Sequence, residues 1–334
     1  MRRILFVTPL LCALIACSKS PAGPSSPDGS GNLLGQTVNA VDGSAAPGLS
    51  VQIGAKRPVT SDQDGHFEIE VGNPGSYQTT VRGAAIVERQ TTVFGPTTDR
   101  ARLSLIPAGF DLVAFDEMFR TANARLTRWT SRPSLVVLAS VMAYRNGSGS
   151  EYEATSEQLT DDEVQQMEAH LTEGLGLLTG NTFTSFESVV VERPQASARV
   201  NVMRQGQVVV GRYNGIVTWA NTIGYGQWSE LANGTVVGGA MYLDRDFDRD
   251  DSRRRLLRIH ELGHALGYLH VESRTSIMNP SIGPEPTAFD RAAAIIAFQR
   301  PPGNRSPDVD PSSSSGPFGV TTGSWKLMPP VVCR

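Results

Sequence analysis

Residues 260–270 read HELGHALGYLH and hold three of the five histidines in the chain. On a helix, His260 and His264 lie one turn apart on the same face, so two imidazoles reach one cation from a rigid base. Glu261 is rotated by about 100° from His260. Its carboxylate therefore borders the cation without binding it, where it can accept a proton from a water that the metal activates. A continuing helix would carry His270 about 9 Å beyond His264 and onto another face. Gly267 removes that obstacle, because glycine enters the left-handed region cheaply, ends the helix and lets the chain double back. Three neutral nitrogens and one open position make a catalytic zinc site rather than a closed structural one. The expectation is one catalytic Zn2+ on His260, His264 and His270, with Glu261 as general base.

The surrounding elements must hold this string in place. Leu256, Leu257, Leu262 and Leu266 give the active helix an apolar side. A helical stretch is expected around Phe110 to Leu126, and SLVVLASVMAY after Pro133 has the β-branched density of a buried strand. Thr160 to Glu163 forms a capping box for a helix with Val164, Met167, Leu171 and Leu175 on one face. Residues 188–191 and 198–202 read as strands. The Gly-rich stretch 211–226, with Tyr213, Trp219 and Tyr225, reads as loop. Gly238, Gly239 and Ala240 open a further strand reaching Leu243, and Thr287 starts a last helix that stops before Pro301. The aspartates between Asp244 and Asp251 suggest calcium. An EF-hand counted from Asp246 would need Gly and Glu where Asp251 and Leu257 stand, so a solvated turn is expected and structural Ca2+ is not indicated. His66 and His170 are expected to be structural.

The active string resembles the HExxHxxGxxH motif of metzincin zinc proteases, with every fixed position filled, and the likeness spans roughly residues 125–300. Met278 in Ser276-Ile277-Met278-Asn279-Pro280 looks like the family's Met-turn, which lies beneath the metal. Asn279-Pro280 replaces the His-Tyr of astacins and serralysins, so that turn provides no tyrosine, and the likeness is nearer to matrixins. The resemblance implies an α+β metzincin catalytic domain at 108–302, a mixed twisted sheet with an active-site helix and a C-terminal helix. It also implies that Gly238, Gly239 and Ala240 lie on the edge strand along which an extended peptide adds. Zinc-dependent endopeptidase activity on a protein or peptide substrate is the function expected. The alternative is a surface-anchored binding or adhesion lipoprotein whose protease domain is inactive or latent. Matrixins are often silenced by a propeptide cysteine, and no such motif is visible here. Cys333 is expected to be an ordinary free thiol, the alternative being that it plays that part from the C-terminal side.

Upstream, residues 33–107 show short alternating strands between turn residues, which predict a small all-β sandwich. Thr60 to Phe67, followed by Pro74-Gly75-Ser76-Tyr77, resembles the carboxypeptidase regulatory-like module. Residues 18–32 are Ser, Pro and Gly and are expected to be a flexible linker, and 303–334 a loose, disordered tail. Arg2 and Arg3 precede the apolar run Ile4 to Ala16, a signal peptide pattern too short to span a bilayer. Leu14-Ile15-Ala16-Cys17 resembles a bacterial lipobox, which implies lipidation of Cys17, export, and anchoring to a bacterial outer membrane or cell surface. Of three cysteines, Cys12 would leave with residues 1–17 and Cys17 would be acylated, so no disulfide is expected in the mature chain. Lys and Arg number 30 against 33 Asp and Glu over 334 residues, a balance that disfavours nucleic acid as a partner. A monomer is assumed.

Overall fold

The computed structural model describes residues 31–120, 122, 124–144, 152–216, 221–312 and 324–334. The expected signal peptide, Cys17, nearly all of the expected linker, and Trp219 lie outside them. The first seven strands are β1 (Gly31–Asn39), β2 (Ser50–Ile53), β3 (Val59–Thr60), β4 (His66–Gly72), β5 (Gly75–Arg82), β6 (Arg89–Gly95) and β7 (Ala101–Leu105). They form two sheets, ordered β4-β1-β7 and β3-β2-β5-β6. Alternate residues such as Leu33, Val51, Ile53, Val81 and Leu103 point inward and fill the space between the sheets.

Beyond them come α1 (Leu112–Phe119), β8 (Arg128–Trp129), β9 (Ser134–Tyr144), β10 (Tyr152–Gln158), α2 (Asp161–Leu178), β11 (Val189–Glu192) and β12 (Arg199–Val200). They are followed by β13 (Gln207–Asn214), β14 (Gly224–Glu230), β15 (Thr235–Asp244), α3 (Arg245–Asp250), α4 (Arg254–Ala265) and α5 (Ala288–Phe298). The last are β16 (Lys326–Leu327) and β17 (Val331–Cys333). One ten-stranded sheet runs β12-β10-β9-β13-β15-β14-β16, with β11 on β9, β17 on β14 and β8 on β15. Strands β9, β13 and β15 are parallel, while β14 runs antiparallel to β15. Helices α2 and α4 cover one face. There Gly174 lets the two approach, since a Cβ on it would lie 3.2 Å from both Ile259 and Leu262. The other face buries Tyr152, Tyr213, Tyr225 and Tyr242 together.

This architecture corrects the expected fold class. The described residues are mostly β, 37% strand against 20% helix, and are dominated by a large curled sheet. It is not the α+β metzincin domain that the motif implied. Much of the discrepancy comes from strands that periodicity missed. The stretch 211–226, read as loop for its glycines, supplies the end of β13 and the start of β14. The short strands β8, β16 and β17 carry no alternation long enough to register.

Of the tail expected at 303–334, residues 313–323 lie outside the described residues, and the described parts, 303–312 and 324–334, are built into the fold rather than loose. Asp308 is fully buried, takes two hydrogen bonds from Arg300 at 2.7 Å each, and takes a third from Arg89 of β6 at 2.9 Å. Asp310 pairs with the same Arg89 at 2.8 Å. A polar composition suggested disorder, whereas these carboxylates are needed to neutralise two buried guanidiniums. Burial pushes the Asp308 carboxyl up, but Arg300, Arg89 and Asn304 outweigh it and hold the group below the ordinary carboxylate range. A depressed folded pKa stabilises the fold above the unfolded value of about 3.9 and ceases to do so as pH falls through the folded value. Asp308→Asn is therefore expected to destabilise the chain by about 3 kcal/mol at neutral pH. The deficit should shrink below about pH 4. Urea denaturation at pH 7 and pH 3 checks both parts, and an equal deficit at the two pH values would contradict them.

Candidate metal centre

Helix α4 carries His260 and His264 one turn apart, both fully buried. Its end is a complete Schellman motif. Gly267 sits at φ 100°, its N–H donates to the His264 carbonyl at 3.0 Å, and the Tyr268 N–H donates to the Gly263 carbonyl at 2.9 Å. The reversed chain brings His270 back, so that the Nε2 atoms of His260 and His264 are 2.9 Å apart and those of His264 and His270 3.2 Å apart.

Second contacts fix the tautomers of the first two rings. His260 Nδ1 lies 2.7 Å from the Ile277 carbonyl and His264 Nδ1 2.7 Å from the Tyr268 carbonyl. A carbonyl only accepts, so both Nδ1 atoms carry the proton and both Nε2 atoms present lone pairs. Burial holds His260 down at about 3 and His270 at about 4. His264 is also well below its ordinary value, through burial and the two neighbouring imidazoles. All three rings are neutral at pH 7.

The turn after His270 closes the site from below. Met278 is fully buried, and a Cβ on Gly263 would come within 2.5 Å of its sulfur, so the thioether lies against the helix between the two histidines. Asp290 of α5 pins this turn. It accepts from Ser276 Oγ at 2.5 Å and from the Ile277 N–H at 3.1 Å, while Thr287 and Asp290 form the α5 capping box. The Ile277 carbonyl is thereby presented to His260.

Glu261 is fully buried, and neither carboxylate oxygen has a hydrogen-bond partner among the described residues. Burial pushes its carboxyl well above the usual range. An unpartnered buried carboxylate is costly, and here it stands beside three converging imidazole nitrogens. A tetrahedral site with arms of about 2.0–2.1 Å has edges of about 3.3–3.4 Å, close to the separations of the Nε2 atoms. The donor set therefore fits a zinc ion.

Glycines of the sheet make room for the helix. A Cβ on Gly224 would lie 2.8 Å from Glu261 Oε1, one on Gly226 would meet His264 Cβ and lie 2.8 Å from the Glu261 carbonyl, and one on Gly239 would lie 2.5 Å from the Ala265 carbonyl. Gly226→Ala is expected to push β14 off α4, at about 1–3 kcal/mol of stability. Urea denaturation measures it, and an unchanged midpoint would contradict the close packing.

Sequence reasoning misplaced the edge. Gly238, Gly239 and Ala240 lie in β15, which pairs with β13 on one side and β14 on the other, so β15 is an interior strand and this end of the sheet is formed by β14 with the short strands β16 and β17 on its outer side. The alternation Gly224-Tyr225-Gly226, small toward the helix and aromatic away from it, was the available signal. Cys333 was expected to be an ordinary free thiol, with a silencing role at the site as the alternative. It is fully buried, and its sulfur, a ring nitrogen of His260 and a carboxylate oxygen of Glu261 lie within 4.8 Å of one another. The aspartates of the 244–251 run are engaged elsewhere. Asp244 caps α3, Asp248 is held between Arg212 and Arg258, and Asp250 and Asp251 pair with Arg249 and Arg253. Asp62, Asp64 and His66 form a second acidic group at an exposed turn, where Asp62 accepts the N–H groups of Asp64 and His66.

No protein-family model matches the chain, and no curated protein matches it.

Proposed function

We propose that the chain is a zinc-dependent endopeptidase with the site chemistry of the metzincin motif, carried on a mostly-β frame. The observation that carries this reading is the convergence of three imidazole Nε2 atoms beside the buried, unpartnered carboxylate of Glu261. His260, His264 and His270 would hold the ion. When bound there, zinc polarises a carbonyl oxygen and makes water nucleophilic at neutral pH. Glu261 takes the proton that water gives up as it attacks the scissile carbon, then delivers it to the amine nitrogen as the carbon–nitrogen bond breaks. No side chain becomes acylated. The carbonyls of Ile277 and Tyr268 keep His260 and His264 in the ligating tautomer throughout.

A peptide substrate is favoured over other hydrolysable groups because β14 runs next to α4 and already accepts the short antiparallel strands β16 and β17 on its outer side, the kind of main-chain pairing by which an extended peptide adds to a sheet. Cys17, as a lipobox cysteine, would tether the enzyme to a membrane surface. Among the described residues no helix is long and apolar enough to cross a membrane. The reading is tested by incubating the zinc-loaded chain with a mixed peptide library. New termini at internal bonds support it, and a library left intact contradicts it.

A further inference from the structure

Strand β17 adds antiparallel to the outer edge of β14, with Cys333 opposite Gly224, Val332 opposite Tyr225 and Val331 opposite Gly226. Gly224 is the residue of β14 that touches the Glu261 carboxylate. The Ile223 N–H donates to the Cys333 carbonyl at 3.1 Å, and the Arg334 N–H donates to the Pro280 carbonyl at 3.3 Å. These residues therefore bridge from the sheet edge to the turn that carries Met278. Between those supports the Cys333 side chain is buried against His260 and Glu261. Further along, Leu327 pairs with Ser229, and the Met328 N–H donates to the Trp228 carbonyl at 2.9 Å.

We propose that residues 324–334 are an intramolecular strand that occupies the peptide-binding edge of β14 and, through Cys333, the space beside Glu261, so that access to the site is reduced until this segment is displaced or cut away. What it blocks rests on the peptidase reading; that it holds the edge does not. The segment is held by main-chain pairing, which any extended peptide can imitate, and by the burial of Met328 and Cys333 in the core. Trp325 and Leu327 are about half exposed, at 49% and 47%, and add little anchoring. A tethered segment competes at an effective concentration on the order of millimolar, so a strand with Kd ~100 µM would suppress access about tenfold.

The test uses the zinc-loaded full chain, the same chain with residues 324–334 deleted, and a fluorescent peptide of residues 324–334. The peptide is expected to bind the deleted chain saturably and the full chain about tenfold more weakly, and deletion should raise library cleavage about tenfold. Equal peptide binding by the two chains would overturn the proposal. So would equal cleavage rates, or no binding by a deleted chain that still holds zinc and melts cooperatively. Should the deletion not fold, Val332→Pro in the full chain places a proline at the centre of β17 and must shift both readouts the same way. If no chain cuts any peptide, the peptidase reading falls, and the binding comparison still decides whether the strand holds the edge.

Discussion

Replacing Glu261 with glutamine is expected to leave one zinc per chain in place and to slow peptide hydrolysis by about 10²–10⁴-fold. The side chain keeps its volume between α4 and β14, where Gly224 already yields space to it. What is lost is the ability to accept a proton. The Glu261 carboxylate makes no hydrogen bond among the described residues, so folding does not depend on it, and the melting temperature of the variant should not fall. A residue kept buried, ionisable and unpartnered is one whose removal harms chemistry before it harms the fold. The measurements are kcat/KM on a peptide cut by the wild type, zinc content, and thermal melting. Near-normal turnover in the variant would remove Glu261 from the role of base.

His264→Ala is expected to abolish zinc binding at micromolar metal and all hydrolysis with it. Its Nε2 stands between the other two, 2.9 Å from one and 3.2 Å from the other, so it is the shared corner of the donor triangle. Losing a group behind a ligand already weakens metal binding about 10–100-fold, and losing the ligand itself should exceed that. Zinc at ~1,000 times its Kd stabilises the wild type by about 4 kcal/mol. In a domain of 150–250 residues that raises Tm by about 8–16 °C. The variant should melt at the same temperature with and without zinc, and a variant still stabilised by one zinc would contradict the assignment.

The clustering of His260, His264 and His270 was more legible in the sequence than the fold. His260 and His264 announce themselves because their spacing is a helical turn, and Gly267 because six further residues cannot reach back without a left-handed residue. The supporting groups were hidden for a physical reason. The carbonyls of Ile277 and Tyr268 belong to the backbone, and any residue could have supplied them. The sheet was obscured by its own packing requirement. Gly224, Gly226 and Gly239 are glycine because α4 lies against the strands, yet glycine in a strand lowers every local signal for one. That is why the start of β14 read as loop and β15 was taken for the edge. Cys333 could be located only through pairing between strands more than 100 residues apart, a contact that no local pattern encodes. The buried Asp308 network was lost the same way, since aspartate in a Pro-rich stretch reads as solvated until the arginines facing it are seen.

The most direct measurement is zinc content and library cleavage determined on the same samples of the wild type and Glu261→Gln, each with and without residues 324–334. One zinc in every sample, cleavage at internal bonds by the wild type, faster without the segment, and little or none by either glutamine variant is the expected result. One zinc with no cleavage by any sample, or equal cleavage with and without Glu261, would contradict a zinc endopeptidase that uses Glu261 as its base.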